Sequence, residues 1–445
     1  MADEILWINH AGYELRSCGV RLVHDPWLEG LAFDRGWALV SPTKYGYDDF
    51  RGVDYIWLSH EHPDHFSPPV LRKIPEEIRR SITILYQRTR DGRVVEFCRK
   101  MGFQTQELSD GDRMTLKNGL AITCGVVGGD SWLFAETPEF TYFNANDCVG
   151  ADWSEIAKSL RKPVDVLLTQ FSYANWVGNP GETERMAEGA DEKLREMEQQ
   201  LAAFRPRVLI PFASFVWFCR DENFHLNQAV NRIDRIYDRF RKDRQVVILY
   251  PGDLYRVGEK RDSADAIARY LADWQSHDRP MQLRDDSVPL KELQRISTVH
   301  QRKLKQKNAM WLLRPLVWAG YIAAVSIYLR DLSSGIRYSV FGGIQAGGLA
   351  RSECDVEFSS SSFANMLNNG YGYQTLHVSG RYRELRPGGF VRLSPHFAIP
   401  LENEQGFSLP GMLFRKDHLV SLVRRALHQQ ARLRGAVRSG PQISA

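Results

Sequence analysis

Short apolar runs bounded by turn residues recur through the first half of the chain and predict strands over residues 4–9, 18–24, 81–86, 120–127, 140–144, 166–169 and 208–211. Val53, Tyr55, Ile56, Trp57 and Leu58 form another, a buried strand stopped in a loop by Pro63 and Asp64. Helical periods are interleaved with these. Val94, Val95, Phe97 and Met101 predict a helix over 86–104 that ends at Gly102, and Met186, Leu194, Met197 and Leu201 recur at the spacing of one buried helical face over 183–204. Residues 226–241 predict a further helix, and 246–250 a strand closed by Pro251, Gly252 and Asp253. Strands alternating with helices in this way predict an α/β layered sandwich over 1–257.

The pattern changes over 258–308, where Lys, Arg, Asp, Gln and Ser dominate, and a polar or helical connection between domains is expected there. Beyond it, runs at 321–330, 335–342 and 354–358, a helix over 360–369 capped by Ser360 with Phe363, Met366 and Leu367 inside, and a last run at 375–383 resemble the order of a sterol-carrier-protein-type domain over 309–430. That α+β fold encloses an apolar cavity; plain strand-turn-helix chemistry in a structural or dimerising appendix fits the same pattern. Residues 316–329 are apolar for 14 positions, short of the ~20 that a spanning helix needs, and read as a buried helix end plus a strand. Residues 431–445 read as a flexible basic tail. The Arg cluster between 424 and 438 suits solvent, a phosphate or an anionic membrane.

Length supports this division, since 445 residues exceed what one hydrophobic core usually serves. Hydrophobic content of 43% with 25% charged residues is that of an ordinary globular protein, and a net charge of +4 without a basic stripe gives no case for nucleic acid. Six cysteines stand at 18, 98, 124, 148, 219 and 354 with no C-x-x-C pair, which suits reduced thiols in a cytoplasmic protein and leaves no ligands for an Fe–S cluster of the Rieske type. The start, Met1-Ala2-Asp3-Glu4, is acidic, so no secretory signal is expected.

The chemistry is concentrated in His60-Glu61-His62-Pro63-Asp64-His65, directly after the apolar strand. Three of the chain's 12 His lie within six residues, which argues against a chance polar loop. At an extended strand end His60 and His62 point to one side and can reach one cation, while Asp64 and His65 in the turn can reach a second. Imidazole and carboxylate together suit Zn²⁺ or Fe²⁺ and leave positions open for water, oxygen or substrate.

This H-x-H-x-D-H pattern resembles the metallo-β-lactamase superfamily, which implies an αββα sandwich with a metal site at its edge. The blocks His24-Asp25-Pro26-Trp27-Leu28-Glu29-Gly30, Ala32 to Trp37, Asn144-Ala145-Asn146-Asp147-Cys148 and Pro211-Phe212-Ala213 narrow the resemblance to the catalytic region of the CMP-N-acetylneuraminate hydroxylase family, without the Rieske domain its members carry. The resemblance implies Asp147 as a carboxylate between two metals. It also implies a ligand His within 124–130, where none stands; Asp130 is the nearest substitute and otherwise orients a neighbouring loop. For the last ligand Arg220 holds the expected place, and His225 is either that ligand or a surface or supporting His. Asp25 is expected to orient His60 or His62, and His10, Tyr173, Asn175 and Trp176 to face substrate.

Three functions are open on this reading. The first is a metal-dependent oxygenase with non-haem iron, hydroxylating an N-acyl or acyl-containing substrate such as a nucleotide sugar, with electrons from a separate Rieske or ferredoxin-type protein. The second is a zinc- or manganese-dependent hydrolase of an ester, amide or phosphodiester, with Asp64 as base or orienting group. The third is a non-catalytic acyl- or lipid-binding protein. One or two divalent ions and a homodimer are compatible with the first two.

Overall fold

The computed structural model describes residues 2–318, 320 and 322–409; the basic tail and the last part of the expected second domain lie outside them. The described residues form two compact units, one of residues 2–285 with 374–382, the other of 286–373 with 383–409.

The first unit is built on two seven-stranded sheets. One runs in the order Leu254–Arg256, Glu4–Asn9, Gly12–Ser17, Val20–His24, Tyr55–Leu58, Thr83–Gln87 and Gln104–Leu108. The other runs Gln245–Val246, Val208–Phe212, Val166–Gln170, Thr141–Asn144, Asp130–Glu136, Ala121–Val127 and Arg113–Thr115. Ile5, Trp7, Tyr13, Leu15 and Leu22 of the first share one core with Ile122, Leu133, Ala135, Phe143 and Leu167 of the second. Each such large side chain stabilises the unit by roughly 1.5–3 kcal/mol. Helix Arg93–Lys100 covers strands of the first sheet, and helix Thr183–Phe204 covers the second with Met197, Leu201 and Phe204. The result is mixed α/β with the helix-sheet-sheet-helix layering expected.

Register carries the functional consequence. Val20–His24 and Tyr55–Leu58 are parallel, pairing Leu22 with Tyr55 and His24 with Trp57. Their C-terminal ends therefore lie side by side, and Asp25 N–H donates to Trp57 O at 3.0 Å. Thr141–Asn144, Val166–Gln170 and Val208–Phe212 are also mutually parallel. Ala213 N–H, just past the last of these, reaches across to His10 O at 2.9 Å, so the C-terminal edges of both sheets meet.

Some boundaries move for physical reasons. The helix expected over 86–104 begins only at Arg93, because Tyr86 and Gln87 pair with Glu107 and Leu108 and Gly92 turns the chain at a φ of 60°. Residues 124–130 hold no His; they form a hairpin in which Trp132 lies across Gly125, where a Cβ would stand 2.0 Å from the indole.

The second unit has a five-stranded sheet in the order Gly343–Leu349, Ser334–Ser339, Val325–Leu329, Val356–Phe358 and Tyr382–Glu384. Helix Ser360–Asn368 buries Phe363, Met366 and Leu367 as patterned, but its cap is Ser359, whose Oγ accepts from Ser362 N–H at 3.1 Å. Ser360 turns instead to Asp331. The run at 375–383 divides into helix Gly372–Ser379 and strand Tyr382–Glu384, separated by Gly380 at a φ of 67°. The expected buried helix end near 316 is corrected: helix Arg314–Trp318 leaves Trp318 84% exposed.

Candidate metal centre

The strand Tyr55–Leu58 delivers Ser59 to His65 to the joined sheet edge, and the strand Thr141–Asn144 delivers Asn146 and Asp147. His10 comes from the tight turn after Glu4–Asn9, and Asp25 from the end of Val20–His24. Four of these loop residues lie in the left-handed region, His10 at a φ of 48°, Asp25 at 36°, Asn146 at 53° and Ala213 at 52°. Non-glycine residues there cost roughly 1–3 kcal/mol each, so the surrounding fold holds them in place.

Among the described residues, two groups bring donor atoms within 4.8 Å of one another: His60, His62 and Asp147, and His10, Asp64 and His65. Asp147 Oδ2 lies 3.7 Å from both His60 Nε2 and His65 Nε2, which puts it between the groups. In the second group Asp64 Oδ2 lies 3.1 Å from His10 Nε2 and 3.3 Å from His65 Nε2. His10, His60, Asp64 and His65 are almost wholly buried, whereas His62 and Asp147 keep partial exposure. Solvent reaches the two groups on the His62 and Asp147 side.

Supporting contacts fix which imidazole nitrogen is free. Asp25 accepts from Ser59 N–H at 2.8 Å, Ser59 Oγ at 2.7 Å and His65 Nδ1 at 2.9 Å. Asp25 thus holds His65, not His60 or His62 as expected. The contact to Nδ1 turns His65 Nε2 toward Asp64 and Asp147. Ser59 Oγ also lies 3.0 Å from His60 Nδ1, and Asn146 Nδ2 3.5 Å from the same atom.

The residues present fit a cation. His65 Nε2, Asp64 Oδ1, Asp147 Oδ1 and His10 Nδ1 are buried without a hydrogen-bond partner, which is costly unless a charge sits among them. Burial lowers the pKa of His60, His62 and His10, keeping them as neutral donors. Burial also works against charge on His65 and Asp64, but the carboxylates of Asp64, Asp147 and Asp25 outweigh it and hold His65 well above its usual range, while His65 and His10 hold Asp64 well below. Asp147 is likewise lowered against burial by His60, His65 and His62. The pocket demands positive charge, which a proton on His65 or a metal ion can supply. Asp130, at 3.8 Å from His60 Nε2, is pushed up to about 7 by burial and by Asp147 beside it.

Other expected residues lie in different surroundings. His225 Nε2 is 3.0 Å from Gly178 O and belongs to neither group. Arg220 is buried in an ion network, its Nη2 2.6 Å from Asp285, which also pairs with Arg381. Tyr173 donates to Leu226 O, and Trp176 is sandwiched between Tyr382, at 4.9 Å between centroids, and the Arg185 guanidinium at 4.5 Å. Asn175 Nδ2 donates to Trp176 O at 3.2 Å. His10, expected to face substrate, stands among the donors instead. Sequence reasoning passed over Ser59, Asn146, Gln87 and Ser131. Ser59 had a signal, since it joins the strand to His60; Gln87 and Ser131, which both donate to Ser59 O, had none.

Residues 4–123 match the family model of the beta-lactamase superfamily domain. Locally the chain is similar to cytidine monophosphate-N-acetylneuraminic acid hydroxylase, 39% identical over 74 residues to the Danio rerio protein and 43% over 69 residues to that of Sus scrofa. These matches cover 16% and 15% of this chain but only 12% and 16% of the relatives, so the chain spans a small part of their length. Among solved structures it is similar to CmlA, a diiron β-hydroxylase from Streptomyces venezuelae, at 14% identity and a TM-score of 0.39, covering 57% of this chain and 54% of that one. A possible metal-dependent hydrolase from Veillonella parvula matches at 16% identity and a TM-score of 0.44, covering 58% of this chain and all of that one.

Proposed function

We propose that the first unit is a metal-dependent oxygenase that hydroxylates an N-acyl or other acyl-containing small molecule, with non-haem iron held by His60, His62 and Asp147 and by His10, Asp64 and His65. The observation that carries this reading is the composition of the two groups, each two imidazoles and one carboxylate, with Asp147 between them. That donor set with open positions is the one used by non-haem iron oxygenases. When bound, iron in such a set supplies dioxygen activation. The overall change replaces a C–H bond by C–OH and reduces the second oxygen atom to water, using two electrons and two protons. The electrons come from a separate Rieske or ferredoxin-type protein. In the protein itself, Asp25 fixes the His65 tautomer, Ser59 ties Asp25 to His60, and the exposed side at His62 and Asp147 admits substrate.

Local similarity to the sialate hydroxylases supports an N-acylated nucleotide sugar as substrate class. A hydrolase using zinc or manganese is the second reading, with Asp64 as base or orienting group, and an acyl-carrying sterol-carrier-type second unit the third. The deciding experiment is elemental analysis of protein produced with iron and zinc both supplied, followed by oxygen uptake with a ferredoxin, its reductase and a panel of N-acyl nucleotide sugars. Iron with reductant-dependent uptake is expected. Zinc with turnover of ester or phosphodiester panels selects the hydrolase, and metal-free protein carrying lipid selects the third reading.

A further inference from the structure

We propose that the second unit docks on an anionic lipid surface through a face centred on Trp311 and Trp318. The 3₁₀ turn Met310–Leu313 continues directly into helix Arg314–Trp318. Positions 311, 314, 315 and 318 recur at the three, four and seven spacing of one helical side, and Trp311, Arg314, Pro315 and Trp318 are all exposed, the two indoles at 66% and 84%. The opposite side is already occupied: Met310 belongs to a core with Leu304, Ile322 and Val340, and Leu313 and Val317 pack against it. The outward side of the segment therefore presents two indoles and one guanidinium to solvent. Two indoles turned to water on one short segment are not the scattered single apolar residues of an ordinary surface.

Charge identifies the partner. Between Glu292 and Asp331 the sequence contains no acidic residue, while Arg302, Lys303, Lys305, Lys307 and Arg314 flank the tryptophans with five cations; Arg295 is paired with Glu292 at 2.6 Å. Arg302, Lys303, Lys305 and Lys307 are exposed on helix Leu290–Lys307, immediately before the tryptophans. Two copies of so basic a face repel one another. An anionic bilayer supplies the missing countercharge, and tryptophan is the residue that settles at headgroup level. Among the described residues no helix is long and apolar enough to cross a membrane, so the segment lies in the interface. This inference rests on the second unit alone and is independent of the reaction proposed for the first.

The test uses the intact chain with vesicles of phosphatidylcholine, with and without about a third phosphatidylglycerol, read by co-sedimentation and by tryptophan emission. Binding to the anionic vesicles with a blue shift is expected, together with loss of binding at high salt. In W311S/W318S the lipid concentration for half-binding should rise about tenfold or more, and K305E/K307E should weaken binding in the same direction. All four side chains are exposed, so unchanged melting temperatures separate lost docking from lost folding. The proposal is overturned if the intact chain stays in the supernatant with anionic vesicles, or if W311S/W318S binds them as well as the parent. It is also overturned if light scattering shows a dimer that W311S/W318S dissociates while neither form binds lipid, since the face then serves a second copy.

Discussion

The two units depart from the usual distribution of polar and apolar groups in opposite directions. The first takes His10, Asp25, His60, Asp64 and His65 into its interior at almost no exposure, while the second turns Trp311 and Trp318 out to solvent. Buried charge and exposed aromatic surface are each costly, and each becomes favourable only when something absent from the bare chain arrives. For the first unit the proposed arrival is a cation, small enough to sit among six side chains. For the second the proposed arrival is an anionic lipid surface, which would cover both exposed indoles.

Breaking the buried half of this comparison should have the largest effect. His62→Ala and Asp147→Asn should each lower metal-dependent turnover at least about a thousandfold. Elemental analysis should separate them, His62→Ala losing about half of the bound metal and Asp147→Asn more, because Asp147 lies 3.7 Å from His60 and His65 alike. Full metal content and activity in either variant would remove the assignment. Next in size is the contrast between two histidines. The sequence leaves His225 either as the last ligand or as a surface or supporting His, whereas the structure puts His10 at the donors and His225 on Gly178 O. His10→Ala should lower metal stoichiometry; His225→Ala should leave it intact and cost only about 1 kcal/mol of stability. The reverse pattern in paired metal analyses would make His225 the ligand and remove His10.

Asp25→Asn addresses support for a ligand. It retains the shape but removes the charge that accepts from His65 Nδ1 at 2.9 Å, so metal affinity should fall by roughly 10–100-fold. Competition with a chromogenic chelator measures this directly. An unchanged affinity would mean that His65 keeps its tautomer without Asp25.

What the sequence revealed and what it hid divide along the range of the interactions. Helix Thr183–Phe204 was legible to its ends because one long apolar face repeats through it, and His60 to His65 was legible because its donors sit within one strand end and turn. Layering followed from the alternation of strand and helix. The partner of Asp25 was not legible, since it depends on parallel pairing of Leu22 with Tyr55, a register no local pattern encodes. The place of His10 depends on the joining of two sheet edges through Ala213. Trp318 was misread as buried because an apolar run specifies burial against something, and in this segment Met310, Leu313 and Val317 had already taken the inward side.

A pH dependence tests the buried side through a histidine outside both donor groups. His24 is fully buried, stacked on Tyr13 at 4.0 Å, and burial pushes its pKa down to about 3. The unfolded chain binds this proton below about 6.5, whereas the folded unit resists it until near 3, so stability is intact above the first value and is lost as pH falls between the two. The slope from this one group approaches about 1.4 kcal/mol per pH unit. His377 is pushed down to about 4 by burial and by Arg185 and adds to the loss over a narrower window. Denaturant melts of the metal-loaded protein from pH 7 to 4 should therefore be steeper than those of His24→Phe, which keeps the stack on Tyr13 and removes the titration. If the two curves run parallel, His24 gains a proton in the folded unit as readily as in the unfolded chain. The ring must then be reached by water, and the stack of His24 on Tyr13 would not exclude it.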